Sequence, residues 1–208
     1  MIPLDILLLF VGASAALAVA PGPDNIYVLT QAAMHGRKAG ILVTLGLCTG
    51  LLLHIAAVAL GIAAILKTSP MAFTALKIVG ATYLLYLAWQ AFRAGDAQIA
   101  ARDGTPIRPS ALYLRGIVMN VSNPKVAIFF LAFLPQFASP ARGPMSVQIV
   151  VLGIAFMLTA LIIFSAIAWT ADRLGDWLGR SKRAQSIIHR LAGSVFILLA
   201  CRLVLEKQ

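Results

Sequence analysis

The chain has 208 residues, of which 61% are hydrophobic and only 12% are charged. Soluble domains carry about a quarter charged residues, so this composition excludes an ordinary soluble domain. The formal net charge of +10 does not indicate nucleic-acid binding, because the positive residues lie in short loops between apolar stretches, as the positive-inside rule of membrane proteins produces.

Hydropathy predicts six membrane-spanning segments, because each apolar stretch approaches or exceeds the roughly 18 residues that cross ~30 Å of hydrocarbon. The segments cover residues 4–34, 39–66, 71–92, 111–137, 145–170 and 187–205. We therefore predict an all-α membrane protein with one transmembrane domain, 1–208. The first segment could pass for a signal peptide ending at Ala20, but Asp5 and the absence of an early Lys or Arg favour a retained span.

The first segment is interrupted by Pro21, Gly22 and Pro23, and Asp24 follows directly. Two prolines and a glycine cannot continue an α-helix, because proline lacks an N–H donor and clashes with the preceding turn. A carboxylate inside a membrane costs roughly 2.5–3.5 kcal/mol on insertion scales, and such residues usually serve a function. This stretch therefore predicts the broken helix of a small transporter.

A second break is predicted at Pro124 in the fourth segment, between Asn123 and Lys125. It lies about half a chain length beyond the first break, and the third and sixth segments also resemble each other. With three segments in each half, the second half is inverted relative to the first, as in many transporters. The predicted repeats cover 1–93 and 111–208, with a cytoplasmic linker at 94–110.

The Lys and Arg residues are strongly biased towards the odd-numbered loops. These residues are Arg37, Lys38, Arg93, Arg102, Arg108, Arg115, Arg173, Arg180, Lys182, Arg183 and Arg190. The other side of the membrane receives Lys67, Arg142, Arg202 and Lys207. By the positive-inside rule, the odd-numbered loops are cytoplasmic and both termini face outward.

Aligning the two breaks places Asp24 over Lys125, so a pseudo-two-fold axis in the membrane plane would bring the two charges together. Asp24 could hold an ammonium group or a proton. The positive ends of the half-helices, with Asp24, Asn25 and Asn123 as caps, could hold a carboxylate. Together these groups fit an amino-acid zwitterion, and a purely structural ion pair is the alternative.

Other polar residues leave alternatives open. Tyr27 and Gln31 lie at i and i+4 on one helix face, so both could line a substrate site or form interhelix hydrogen bonds. His54, midway along the second segment, could be a proton relay or a structural histidine. Cys48 and Cys201 are isolated, so we predict no disulfide, no metal or redox motif, and no cofactor.

Four short motifs resemble the LysE/RhtB family of amino-acid exporters. They are Ala-Pro-Gly-Pro-Asp-Asn at 20–25, Gly-Arg-Lys-Ala-Gly at 36–40, Asn-Pro-Lys at 123–125 and Pro-Gln-Phe at 135–137. Length and hydropathy match along essentially the whole chain. The conserved family motifs fall on Pro21, Gly22, Pro23, Asn123, Pro124 and Lys125.

The resemblance implies a bacterial inner-membrane exporter that drives amino acids outward against protons, and not an enzyme. Its partners would be an amino-acid substrate, protons and the lipid bilayer, and a homo-oligomer stays open. Substrates vary within the family and include basic amino acids, homoserine, threonine and leucine. A passive channel, an importer and a membrane thiol–disulfide shuttle on a similar inverted scaffold are the alternatives.

Overall fold

The computed structural model describes residues 2–68, 70–93, 108–180 and 182–205. Within these ranges the chain is helical and contains no β-strand. The α-helices are α1 (Leu4–Val19), α2 (Pro23–His35), α3 (Arg37–Thr68), α4 (Pro70–Arg93), α5 (Pro109–Val121), α6 (Pro124–Ile128), α7 (Met145–Arg180) and α8 (Lys182–Leu205). Most of the predicted linker, 94–107, lies outside the described residues.

A π-helical turn, Phe129–Phe133, and a 3₁₀ turn, Leu134–Phe137, continue α6. A further 3₁₀ turn, Pro140–Arg142, precedes α7. The helical segment that begins with α6 therefore extends over Pro124–Phe137, although its hydrogen-bond pattern changes twice. Single π-helical turns within α-helices are often found at functional sites.

Two helices in the described part of the chain are long and apolar enough to cross a membrane by themselves. They are Arg37–Gly61 within α3 and Met145–Ala171 within α7. Two bent helix pairs qualify if each pair counts as one span, with bends of 59° between α1 and α2 and 48° between α5 and Pro124–Phe137. The all-helical prediction is confirmed with two to four candidate spans, whereas six spans stays a prediction.

The turns at both bends follow from local sequence. α1 ends at Val19, Ala20 and Gly22 are extended, and α2 begins with Pro23 at its first position. Proline suits this position because its missing N–H would have no helical partner and its φ is already helical. α6 likewise begins with a proline, Pro124, after an extended Asn123.

α2 and α3 are joined by the single residue Gly36. Its φ of +83° lies in the region that side chains with a Cβ rarely adopt. This conformation ends α2 at His35 and allows α3 to begin at Arg37. Glycine is therefore required here for so short a connection.

α3 occupies the middle of the bundle and packs against α5 and α7. α2 packs against both α3 and α7, α1 packs against α7, and α4 packs against α8. The α3–α5 contact is close because it is lined by glycines. A Cβ on Gly46 would overlap the Tyr113 carbonyl oxygen, and one on Gly116 would lie 2.5 Å from the Val43 carbonyl oxygen. Small residues allow such close helix approach inside membranes.

A cluster of buried phenylalanine rings lies beside the second bend. Its members, Phe10, Phe129, Phe130, Phe133, Phe137 and Phe156, contact one another with ring centroids 4.9–6.2 Å apart. Phe10 belongs to α1 and Phe156 to α7, so the cluster joins the first bent pair and α7 to the segment after Pro124. Elsewhere large apolar side chains such as Leu60 and Ile162 are 80% and 70% exposed, as expected for helices that face lipid.

Candidate functional site

The two helix breaks contact each other. Lys125, at the start of α6, donates from Nζ to the carbonyl oxygen of Ala20 in the first break at 2.9 Å. A Cβ built on Gly22 would lie 3.2 Å from the same Nζ. On the other side, Asn120 Nδ2 near the end of α5 donates to Asp24 Oδ2 at the longer distance of 3.5 Å. The site is therefore built from both halves of the chain.

Asp24 and Lys125 are brought to this site, but each bonds to a different neighbour. The Lys125 ammonium donates to Ala20, and the Asp24 carboxylate accepts from Asn120. Only 5% of Asp24 and 9% of Lys125 is exposed, and their opposite charges attract each other across the site. The ring of Phe196 on α8 lies 5.9 Å from Lys125 Nζ, within the range of a cation–π contact.

Helix ends explain how two buried charges are tolerated without a direct contact. The ammonium group of Lys125 reaches the C-terminal end of α1, where free carbonyl groups carry partial negative charge. Asp24 lies in the first turn of α2, where free N–H groups carry partial positive charge. Each placement is favourable by about 0.3–1 kcal/mol, and up to ~2 kcal/mol where the group is partly buried. The breaks therefore supply the compensating partial charges themselves.

Asn25 and Asn123 hold the two breaks in shape. Asn25 Nδ2 donates to the Ala18 carbonyl at 2.6 Å and so satisfies a second free carbonyl at the end of α1. Asn123 Oδ1 accepts from the Lys125 backbone N–H at 3.0 Å as the N-cap of α6. No side chain caps α2 at Gly22, so the positive end of α2 carries Asp24 as its nearest compensating charge.

Asn120 was not among the site residues predicted from sequence, although it contacts two of the other polar residues. Besides its contact with Asp24, its carbonyl oxygen lies 3.2 Å from His54 Nε2. The His54 ring in turn lies against Phe130, with centroids 5.7 Å apart. A polar residue one turn before Pro124 in an apolar segment was the available signal. His54 is thus connected to the site through Asn120.

Several buried polar atoms at this site have no hydrogen-bond partner within the described ranges. They are Asp24 Oδ1, Tyr27 Oη, Gln31 Oε1 and Asn120 Oδ1. Most buried polar atoms in proteins are hydrogen-bonded, and leaving one unpaired costs about 1–3 kcal/mol. Asp24 Oδ1 and Asn120 Oδ1 belong to residues that meet at the breaks, and Tyr27 and Gln31 follow along α2, so a polar ligand in this region would gain several hydrogen bonds.

The two cysteines belong to α3 and α8 and not to the segments that form the breaks. Cys48 is buried on α3 with Sγ 4.0 Å from the Met157 carbonyl oxygen, and Cys201 is exposed on α8. Among the described residues, no group of three or more His, Cys, Asp and Glu side chains is arranged to hold a metal ion.

Gly50 couples helix packing to the site. A Cβ at this position would lie 2.8 Å from Asn120 Cβ and 2.9 Å from Asn120 Oδ1. We expect Gly50→Ala to displace Asn120, to cost about 1–3 kcal/mol through overpacking and to lower the thermal unfolding temperature of the detergent-solubilised protein. Gly61→Ala on the same helix is the control, because nothing lies within 4 Å of its Cβ. Equal unfolding temperatures for both variants would contradict this role of Gly50.

Comparison with known proteins gives the family. A family model described as LysE type translocator matches residues 15–207. The chain belongs to the LysE type translocator family. The family predicted from the four motifs is therefore confirmed, and the two breaks of this translocator lie within the matched range.

Relatives of this translocator share its length. A homoserine/homoserine lactone efflux protein of Salmonella typhimurium is 30% identical over 94% of both chains. A leucine efflux protein of Salmonella choleraesuis is 25% identical over 90% of this chain and 89% of the relative. An uncharacterized membrane protein of Vibrio cholerae is 30% identical over 88% and 89% of the two chains. No solved structure matches this translocator.

Proposed function

We propose that this translocator exports amino acids across the bacterial inner membrane and binds them where the two helix breaks meet. The observation that carries the proposal is the burial of opposite charges, Asp24 and Lys125, at the contact between the two breaks. Family membership and relatives named as efflux proteins for homoserine and leucine support export as the activity. A transporter, rather than an enzyme, fits both kinds of observation.

The groups at the breaks are complementary to an amino-acid zwitterion. Asp24 Oδ1 has no partner in the described part of the protein, so it could accept hydrogen bonds from the substrate ammonium group. Lys125 and the positive end of α2 offer favourable electrostatics to the substrate carboxylate. Asn25 and Asn123 keep the backbone at the breaks in place, and Tyr27 and Gln31 extend the polar surface along α2.

Proton antiport would follow from competition for Asp24. An unneutralised carboxylate is costly in an apolar environment. The protein would therefore switch its site from one side of the membrane to the other more readily when Asp24 is neutralised. A substrate ammonium group would neutralise Asp24 on the outward step, and a proton would do so on the return. The substrate and the proton cannot bind the Asp24 carboxylate at the same time. The outward step would therefore carry the substrate, and the return step would carry the proton.

An inverted repeat would supply the two access routes. The proposal equates α1 and α2 with α5 and Pro124–Phe137, α3 with α7, and α4 with α8. A pseudo-two-fold axis would pack α3 against α7 and α4 against α8, and both pairs are in contact. The same axis would relate the contact between α1 and α7 to the contact between α5 and α3, and both of these are present. In this six-span arrangement both termini face the periplasm. A reporter that is active only in the cytoplasm, fused to the C-terminus, should therefore remain inactive.

Counterflow in proteoliposomes tests the function. Purified translocator would be reconstituted with unlabelled amino acid inside, and uptake of a panel of labelled amino acids would be followed with and without a pH gradient. We expect exchange of at least one amino acid, accelerated when protons can move in the opposite direction. Downhill flux without exchange or response to the gradient would indicate a channel, and concentration in the reverse direction would indicate an importer.

A further inference from the structure

One face of α2 carries three polar side chains beyond the break. Asp24, Tyr27 and Gln31 are spaced i, i+3 and i+7, so at 3.6 residues per turn they lie within about 60° of one another around the helix. Asp24 and Gln31 are only 5% and 7% exposed. The stripe rises about 10 Å along the helix from Asp24 to Gln31. It therefore leads from the proposed ammonium site towards the end of α2.

Each member of this stripe has a buried polar atom without a partner in the described residues, namely Asp24 Oδ1, Tyr27 Oη and Gln31 Oε1. Two buried hydroxyl groups on neighbouring helices, by contrast, do have partners. Ser14 Oγ donates to the Phe10 carbonyl at 2.7 Å, and Thr44 Oγ1 donates to the Gly40 carbonyl at 2.9 Å. Asn120 Oδ1 on α5 is also unpartnered in the described part of the chain and belongs to the residue that contacts Asp24, so these unpartnered atoms lie along one face of α2 and at its contact with α5.

This observation bears on the two roles left open for Tyr27 and Gln31. An interhelix hydrogen bond would give the Tyr27 hydroxyl and the Gln31 carbonyl oxygen partners on α3 or α7, the helices against which α2 packs. Within the described parts of these helices, neither atom has such a partner. A ligand group between them would relieve the cost of about 1–3 kcal/mol for each unpaired atom.

We propose that Tyr27 and Gln31 bind a hydroxyl group on the side chain of the exported amino acid. Together they would select small hydroxylated amino acids over apolar ones of the same shape. The inference rests on the proposed function, because it requires the substrate ammonium group to bind at Asp24. Tyr27 lies about 4.5 Å along the helix axis from Asp24, comparable to the reach from an α-ammonium group to a nearby side-chain hydroxyl.

Hydrogen-bond chemistry makes a hydroxyl the complementary group. The Tyr27 hydroxyl can donate to a substrate hydroxyl oxygen, whereas Gln31 Oε1 only accepts and can take the substrate hydroxyl proton. A methyl group in the same position leaves both protein atoms unpaired. Sites built to hydrogen-bond a substrate hydroxyl discriminate strongly against analogues that lack it for this reason.

The test uses substrate pairs that differ only by a hydroxyl and a methyl group, namely homoserine with norvaline and threonine with valine. Counterflow rates would be measured for wild type, Tyr27→Phe, Gln31→Leu and the control Thr30→Val. Thr30 lies on the same helix but about 120° around it from Asp24. We expect the hydroxyl-to-methyl rate ratio to fall about tenfold in each stripe variant, the loss of about one hydrogen bond, and to stay unchanged in Thr30→Val.

The outcomes separate this inference from the proposed function. Exchange of amino acids with unchanged ratios in Tyr27→Phe and Gln31→Leu overturns the inference and leaves the export proposal standing. Failure of the wild type to exchange any amino acid overturns both. If the variants do not fold, thermal unfolding of the wild type decides: homoserine should raise its unfolding temperature more than norvaline at equal concentration. Equal stabilisation by both compounds overturns the inference.

Discussion

Asp24→Asn is expected to abolish the proposed proton-coupled export. The asparagine side chain keeps the shape of Asp24 and an oxygen that can still accept from Asn120, but it neither attracts an ammonium group nor binds a proton. Losing one member of a buried charge pair with the substrate costs about 2–5 kcal/mol. The rate of pH-driven amino-acid counterflow should therefore fall on the order of a hundredfold or more.

The matched control for this variant is Asp5→Asn. Asp5 is an exposed carboxylate in the first turn of α1, so its loss changes the net charge equally without touching the breaks. Counterflow by Asp5→Asn should equal that of the wild type. Full pH-driven counterflow by Asp24→Asn would remove Asp24 from both the substrate site and the proton site.

Lys125→Met is expected to cause the largest loss of stability together with a loss of transport. The substitution removes the donor to the Ala20 carbonyl and the attraction between Lys125 and Asp24 across the site. Breaking a buried pair of charges by removing one partner costs about 3–5 kcal/mol by analogy with soluble cores. Thermal unfolding of the detergent-solubilised protein measures the effect, and exposed Lys38→Met on α3 is the control.

The double variant Asp24→Asn/Lys125→Met tests whether the two charges are coupled. In each single variant the remaining charge is buried without its opposite charge. If this causes most of the loss of stability, the double variant should be more stable than the sum of the two single losses predicts. Strictly additive losses would mean that Asp24 and Lys125 act independently despite lying at one site.

The helix boundaries next to Pro23 and Pro124 could be predicted from sequence because their cause is local, whereas two single spans broken at these prolines stay a prediction. Proline and glycine restrict the backbone of their own turn, so the structure interrupts helical geometry next to Pro23 and Pro124. The family could be predicted for a related reason, because two of its motifs contain the prolines at these helix boundaries. Each of these inferences needed only a few neighbouring positions.

Partners across the site could not be predicted because they depend on how the helices pack. Aligning the prolines put Asp24 opposite Lys125, but the long lysine side chain bonds instead to Ala20, an apolar residue whose carbonyl is free only because α1 ends there. Asn120 was missed for the same reason. Its contact with Asp24 requires the glycine-lined approach of α3 and α5, a tertiary feature.

The π-helical and 3₁₀ turns after Pro124 were not predicted from the sequence. The stretch Phe129–Phe133 reads as an ordinary apolar helix, yet it forms a π-helical turn packed within the phenylalanine cluster. Pro135, in the 3₁₀ turn that follows, lacks the N–H that would continue the α-helix, and the rings of this stretch pack against α1 and α7; apolar periodicity alone contains no signal for the π-helical turn. The same cluster packs beside the second bend.

The most direct test of a substrate site at the paired breaks is an experimental structure of the translocator with bound homoserine. The account predicts the homoserine ammonium group within hydrogen-bond distance of Asp24 and its carboxylate next to Lys125. Homoserine bound away from both breaks, or Asp24 and Lys125 on separate faces of the protein, would contradict it.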